Sequence, residues 1–275
     1  MSHVGDALPE GPARPTLLAP TAALLAWYDR CGRCLPWRGT TDPYAVLVSE
    51  VMLQQTQVTR VVGRYEAWLQ RWPTAAALAA APLADVLGAW VGLGYNRRAV
   101  RLREACAIVA RDGWPDDLSR LPGVGPYTAA AVGAFAFGRD EVAMDTNLRR
   151  VLARTGGALA PSPGRTGAFN HAVMDLGATV CTARRPRCGS CPVRAWCPSR
   201  DAVQVAVTGT RRRGGRVRIR FEDTDRHARG RVVAALAAGQ SLPEGLEAQR
   251  LSRALAGLER DGLIERAPHG WTLPR

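Results

Sequence analysis

Cys181, Cys188, Cys191 and Cys197 form a C-x6-C-x2-C-x5-C array, and no other feature of the chain constrains its fold so tightly. Four thiolates this close in sequence can converge on one tetrahedral set of ligands, and all-sulfur ligation suits an iron–sulfur cluster or a zinc ion. Zinc ribbons usually pair two C-x2-C knuckles. Here only the middle interval is that short, so the intervals favour a [4Fe–4S] cluster in a structural role. A disulfide framework is the competing reading. The absence of a secretory-type apolar run at the N-terminus and the odd number of remaining cysteines both count against it. Cys31-Gly32-Arg33-Cys34 lacks the strand and βαβ context of a redox motif, so these two are read as helix-end thiols. Cys106 falls on the apolar side of a helical stretch and reads as a small core residue.

With 275 residues the chain is long enough for two domains with sizeable cores. No stretch approaches the roughly 20 apolar residues of a membrane span, which points to a soluble, cytoplasmic protein. Lys+Arg of 37 against Asp+Glu of 24 gives a formal charge of +13. A field of that sign favours a polyanionic partner, nucleic acid above all, and with it a nucleoid-associated location.

Residues 1–20 are rich in Pro, Gly and Ala and read as disordered. From Thr21 onward apolar residues recur at helical spacing, broken near Pro36, Asp42-Pro43, Pro73, Pro82, Gly92-Gly94, Pro115, Pro122-Gly125, Gly138 and Pro161-Gly164. That pattern predicts an all-α domain of about ten helices over 21–204, with the Ala-rich stretch 75–81 as buried helix. Residues 205–220 have no apolar face and carry six arginines between Arg211 and Arg220, the pattern of a basic linker. Beyond it, Ala228–Ala238 and Ala248–Arg260 are amphipathic, and Leu263-Ile264-Glu265-Arg266, Pro268-His269-Gly270 and Trp271-Thr272-Leu273 read as a hairpin. Residues 221–275 are therefore expected to form a small winged-helix-like domain, serving either DNA contact or packing.

Leu121-Pro122-Gly123-Val124-Gly125-Pro126-Tyr127-Thr128-Ala129 places two glycines in a tight turn that opens an Ala-rich helix. Gly123 and Gly125 permit positive φ and close approach of a phosphate, and the helix N-terminus supplies N–H groups. Such a turn holds a DNA backbone without reading its sequence. The segment resembles the helix-hairpin-helix of the endonuclease III superfamily of DNA glycosylases. In that superfamily a catalytic Asp follows the hairpin, and a four-cysteine loop follows the Asp. The order is met here by Met144-Asp145-Thr146-Asn147-Leu148 and then by the cysteines. Leu35-Pro36-Trp37-Arg38, Ser49-Glu50-Val51-Met52-Leu53-Gln54-Gln55 and Gly92-Leu93-Gly94-Tyr95 look more specifically like the MutY adenine DNA glycosylases. The likeness covers about residues 22–200. It implies a helix-hairpin-helix glycosylase fold, with a six-helix region at about 41–150 and a cluster region formed by 21–40 and 151–204.

Cleaving an N-glycosidic bond needs a proton on the leaving base and a negative charge facing the sugar, work that two carboxyls in different environments can divide. Glu50, among Val48, Val51, Met52 and Leu53, is placed to stay protonated and act as the acid. Asp145 sits at a loop-to-helix junction, where the bland role is an N-cap; the resemblance makes it the ionised group that faces the oxocarbenium-like sugar. At the position of Tyr127 the strand-cleaving relatives carry a Schiff-base Lys. Tyrosine cannot replace it, which implies a monofunctional enzyme, with Tyr127 and Asn147 orienting the reacting groups. The resemblance further puts Trp37 and Arg38 at the adenine pocket and Gln55 and Tyr95 into the helix beside an extruded base. Arg184, Arg185 and Arg187 are expected on phosphates.

Two departures stand out. His171 occupies a position where the family usually has Gln or Glu against the adenine edge, and its charge changes near pH 6.5. The residues after the linker are also too few and too helical for the MutT-like domain that reads 8-oxoguanine in many relatives. The expected partner is a monomer's substrate, double-stranded DNA with adenine mispaired with 8-oxoguanine or guanine. The competing functions are a mismatch thymine glycosylase and a non-enzymatic iron–sulfur DNA-binding regulator. The Glu50 segment argues against the first and the pair of carboxyls against the second.

Overall fold

A computed structural model describes residues 19–200 and 220–274. The stretch expected to be disordered and the basic linker fall almost wholly outside the described residues. Contacts divide the chain into two compact units, Met1–Gly32 with Met144–Gly209, and Arg33–Ala143 with Thr210–Arg275. The protein is helix-rich: the described residues hold eleven α-helices, a few short 3-10 turns and one two-stranded hairpin. No described helix is long and apolar enough to cross a membrane.

The first unit is built from α1 (Ala19–Cys31), and from α8 (Thr146–Arg154) and α9 (Thr166–Thr179), named for their place in the chain. Helix α9 buries Phe169, Ala172, Val173 and Leu176, one stripe at helical spacing. Helix α8 answers with Leu148 and Val151, and α1 with Leu24 and Leu25. Thr21 ties the start of α1 to the loop before α9 by donating to the Ala160 carbonyl at 2.9 Å. Helices α8 and α9 pack so closely that a Cβ on Gly177 would lie 2.7 Å from the Asn147 Cβ. Only glycine fits there.

The second unit is organised around α2 (Pro43–Leu53), which is buried on nearly every side: Tyr44 through Met52 are all buried. Asp42 starts it, accepting the Tyr44 N–H at 3.1 Å, and Pro43 presets the first turn. Around α2 lie α3 (Val58–Arg71), α6 (Arg97–Asp112) and α7 (Pro126–Ala136), with the shorter α4 (Ala75–Ala79) and α5 (Leu83–Trp90) outside them. The α3 stripe of Val61, Tyr65 and Trp68 packs inward. Trp68 meets Trp72 and Trp90 edge-on, with centroids 4.7 and 5.4 Å away. Truncating a fully buried tryptophan of this kind costs about 3–5 kcal/mol.

The Ala-rich stretch is helical only over 75–79, and Ala76 and Ala80 are exposed, a correction to the buried helix expected over 75–81. Alanine's helix propensity says nothing about which face is covered. Here Leu78 and Ala81 supply the burial.

After the linker come α10 (Asp225–Ala237), α11 (Ala248–Arg260) and a hairpin of β1 (Glu265–Ala267) and β2 (Gly270–Thr272), paired Glu265 to Thr272 and Ala267 to Gly270. Helix α10 starts three residues before the apolar pattern does, because the Thr224 hydroxyl accepts the His227 N–H at 3.2 Å and caps a polar first turn. This module is not an appendage on a tether. Val232, Val233, Leu258, Leu263, Ile264 and Leu273 belong to the same apolar core as Val86, Leu87 and Trp90. Asp261 pairs with Arg229 of α10 and with Arg97 of α6, the latter at 3.3 Å.

Candidate active site and cluster loop

Glu50 projects from α2, whose neighbouring side chains are almost all apolar, and it is only 6% exposed. The helix ends immediately after it, at Leu53. Gln55, exposed in the following turn, has φ +56°, and Tyr95, 42% exposed in the turn before α6, has φ +49°. Among the described non-glycine residues these are the only two in the left-handed region. For residues without glycine's freedom that conformation costs about 1–2 kcal/mol and persists only where the surroundings over-determine it.

One side chain does this at both turns. The Arg98 guanidinium donates to the carbonyls of Val51, Met52 and Gln54 at 2.7, 3.1 and 2.7 Å, to the Thr56 hydroxyl at 3.1 Å, and to the carbonyls of Leu93 and Gly94, both at 2.8 Å. The Trp90 indole N–H adds a bond to the Gly94 carbonyl at 3.0 Å. Burial, with a smaller contribution from the nearby Arg226, pushes the Arg98 guanidinium down to about 10, which leaves it charged at neutral pH. Nothing in the sequence sets Arg98 apart from the other arginines. Its partners are carbonyls 4 to 47 positions away, which side-chain patterns do not encode. Arg98→Met should lower unfolding free energy by about 3 kcal/mol or more, since each orphaned buried acceptor costs ~1–3 kcal/mol. Arg98→Lys should recover little, because an ammonium lacks the planar fork. Urea denaturation measures both.

The hairpin turn precedes α7. Gly123 has φ +78° and approaches the Arg101 side chain closely. Gly125 is extended at φ −89°, so its expected positive φ is not needed; what glycine gives there is open space, with nothing within 4 Å of where a Cβ would be. No side chain caps α7, whose first amides follow Gly125 and Pro126, and Leu121 and Val124 anchor the turn in the core. Tyr127 lies half-buried in the first turn of α7. Trp37 is buried in the core edge-on to Tyr65 at 5.5 Å, and Arg38 beside it is half-buried.

The remaining expected residues lie in the first unit. Asp145 is the N-cap of α8: one carboxylate oxygen accepts the Leu148 N–H at 2.6 Å and the other accepts the Asn147 amide at 2.9 Å. The capping role and a fixed, charged orientation are therefore one arrangement. Asn147 in turn accepts from Arg150 at 2.9 Å, and Arg150 donates to the carbonyls of Cys181 at 2.9 Å and Gly177 at 2.7 Å. An unbroken hydrogen-bonded path thus runs from the first cysteine of the array to Asp145, through an arginine that the sequence did not single out. His171 is half-buried on α9, its ring 6.3 Å from that of Tyr28.

Cys181, Cys188, Cys191 and Cys197 line one cavity of about 420 Å³ with Val151, Leu176, Val180 and Val193. Arg154 holds its rim, donating to the carbonyls of Thr182 at 2.8 Å and Ala183 at 3.0 Å, and its own carbonyl accepts from the Cys197 thiol at 3.3 Å. Among the described residues no three Cys, His, Asp or Glu are gathered tightly enough for a single ion. Zinc would draw its sulfurs to about 2.3 Å from one point. Four thiols ringing a larger space fit a cluster instead, and burial pushes Cys191 up to about 11, so the metal-free chain holds it as a neutral thiol. Cys106 is fully buried, as a core residue should be, while Cys31 ends α1 and Cys34 is exposed in the loop beyond. Arg184 and Arg185 are exposed; Arg187 donates back to the Thr179 carbonyl and secures the loop to the end of α9.

Comparison with known proteins bears on the same elements. Residues 48–170 match the HhH-GPD superfamily of base excision DNA repair proteins, and residues 181–197 match the iron–sulfur binding domain of endonuclease III. A structure of a thermostable thymine-DNA glycosylase aligns with a TM-score of 0.60 at 27% identity, over 66% of this chain and 95% of that one. An endonuclease III–DNA covalent intermediate shares the fold, with a TM-score of 0.57 at 24% identity, over 66% of this chain and 96% of that one. Fold, hairpin and cysteine loop together define a helix-hairpin-helix base-excision repair protein carrying a [4Fe–4S] cluster.

Sequence relatives narrow this further. The adenine DNA glycosylase of Mycobacterium tuberculosis (strain CDC 1551 / Oshkosh) is 44% identical over 90% of this chain and 90% of its own length. That of Mycolicibacterium smegmatis is 42% identical over 90% of this chain and 93% of its own. The chain belongs to the adenine DNA glycosylase family. The human member is 42% identical over 66% of this chain but only 39% of its own length. The mycobacterial likeness therefore extends into the residues after 220.

Proposed function

We propose that this chain hydrolyses the N-glycosidic bond of adenine mispaired with 8-oxoguanine or guanine in double-stranded DNA, acting as a monomer and leaving an abasic site. The observation that carries the reading is Glu50, a carboxyl buried in an apolar helix of a chain that belongs to the adenine DNA glycosylase family. Glu50 delivers the proton that lets adenine depart as a neutral base. Asp145, held by the Leu148 N–H and the Asn147 amide, presents negative charge to the sugar as positive charge develops there. Glu50 then assists attack at the anomeric carbon. The open turn at Gly123 and Gly125 grips phosphate, Gln55 and Tyr95 enter the helix beside the extruded nucleotide, and Trp37, Arg38 and His171 surround the adenine. Arg184 and Arg185 add phosphate contacts from the cluster loop. The cluster itself supplies folding energy to that loop.

Strand cleavage by a lyase needs an amine to form a Schiff base with the opened sugar. Tyr127 offers none. All 37 basic residues counted as Lys+Arg are arginine, so no lysine elsewhere can stand in. Duplexes with A opposite 8-oxoguanine, A opposite G and T opposite G test the reading. Base release that gives strand breaks only after alkali is the expected result, with the first two as substrates. Breaks without alkali, or release of thymine alone, would overturn it.

A further inference from the structure

Tyr95 is aimed by two parts of the second unit that are far apart in sequence. Its backbone is fixed in the left-handed region by Arg98, whose N–H donates to the Tyr95 carbonyl at 2.8 Å and whose guanidinium holds the two preceding carbonyls. Its ring is held from the other direction by Arg226, in the first turn of α10. The Arg226 guanidinium carbon lies 3.9 Å from the ring centroid, and one of its nitrogens donates to the Tyr95 hydroxyl at 2.9 Å. Stacking and hydrogen bonding together fix both the plane of the ring and the direction of its hydroxyl, which neither does alone.

The surroundings are built to let Arg226 reach. A Cβ on Gly94 would lie 3.1 Å from an Arg226 terminal nitrogen, so a side chain at 94 would push the guanidinium off the ring. Phe221 stands on the far side of Arg226, 5.8 Å from the guanidinium carbon. Helix α10 is docked by the shared core and by Asp261, which pairs with both Arg229 and Arg97. Among the described residues Arg226 has no carboxylate partner. Its hydrogen bond and its nearest stacking contact are both made to Tyr95.

We infer that Arg226 is a positioning residue for Tyr95, and that through it the C-terminal module takes part in distinguishing the base opposite adenine. The inference rests on the proposed entry of Tyr95 into the helix. It gives the module a task in a chain too short for a MutT-like domain: it sets the angle at which the tyrosine meets the mispair.

The experiment uses the full-length protein, since removing the module would strip part of the core. Parent, Arg226→Met, Tyr95→Ala and the double variant are compared on duplexes with A opposite 8-oxoguanine and A opposite G. Single-turnover excision is one readout. The other is the fluorescence of 2-aminopurine placed beside the mispair, which rises when its stacking is disrupted and needs no catalysis. Arg226→Met should reduce the preference for 8-oxoguanine over guanine about tenfold and lower the fluorescence rise at saturating protein. Adding it to Tyr95→Ala should change neither readout. A preference and a fluorescence rise that stay within twofold of the parent in Arg226→Met would overturn the inference. So would an effect that persists undiminished in the Tyr95→Ala background, or a salt dependence of binding whose slope falls by about one, the mark of a direct phosphate contact. If Tyr95→Ala itself leaves the fluorescence rise intact, the placement of Tyr95 fails, and the inference with it. Parent protein that excises no adenine while the fluorescence effects hold would instead remove the proposed reaction alone.

Discussion

Glu50→Gln should reduce single-turnover adenine excision by about 10²–10⁴-fold, the range supplied by a positioned general acid, while leaving the protein folded. Glutamine matches glutamate in shape, so the packing of Val46, Leu47, Val51 and Met52 around position 50 is kept. What is lost is a transferable proton. Asp145→Asn is the companion variant, chosen because asparagine caps helices as well as aspartate does. Helix α8 should therefore keep its start and most of its stability. The charge facing the sugar disappears, with an expected loss of ~10²–10³ in rate. Circular dichroism and iron content verify the fold, and rates on duplex with A opposite 8-oxoguanine provide the test. Parent-like rates in both variants would refute the division of labour between the two carboxyls.

Cys191→Ser should abolish retention of the [4Fe–4S] cluster and with it most of the activity. The four thiols and their apolar surround enclose a space with no packing of its own, so without the cluster the residues 181–200 lose what orders them. The effect should travel. Cys181 is linked through Arg150 and Asn147 to Asp145, and Arg154 ties the same loop to the end of α8. Loss of visible absorbance and of iron, faster proteolysis within 181–200, and a fall in excision of at least tenfold are the expected results. A variant that loses its iron but keeps parent excision would show that the path to Asp145 does not matter to the reaction.

Much of this was legible in the chain because it is written locally. Helix starts at Asp42-Pro43, Thr74 and Asp145 follow from short-range capping, and the breaks at Gly92-Gly94, Pro122-Gly125 and Gly138 follow from backbone chemistry. The cysteine array and the hairpin are contiguous motifs whose residues meet because they are close in sequence. The start of α10 was placed late because Thr224 caps a turn with no apolar residue to mark it. The Ala-rich stretch was given too much burial because alanine fits a covered face and an open one alike.

The sequence by itself determined the helix-rich architecture, the hairpin turn, the cluster ligands and the two carboxyls, each through an interaction spanning a few residues. Only the tertiary structure decided which arginines matter. Arg98 joins two turns, Arg150 joins the cysteine loop to Asp145, and Arg226 crosses 131 positions to hold Tyr95. In a chain whose 37 basic residues are all arginine, residue type carries no information about these roles. A guanidinium is defined by the carbonyls and rings it faces, and these are assembled only when distant segments pack.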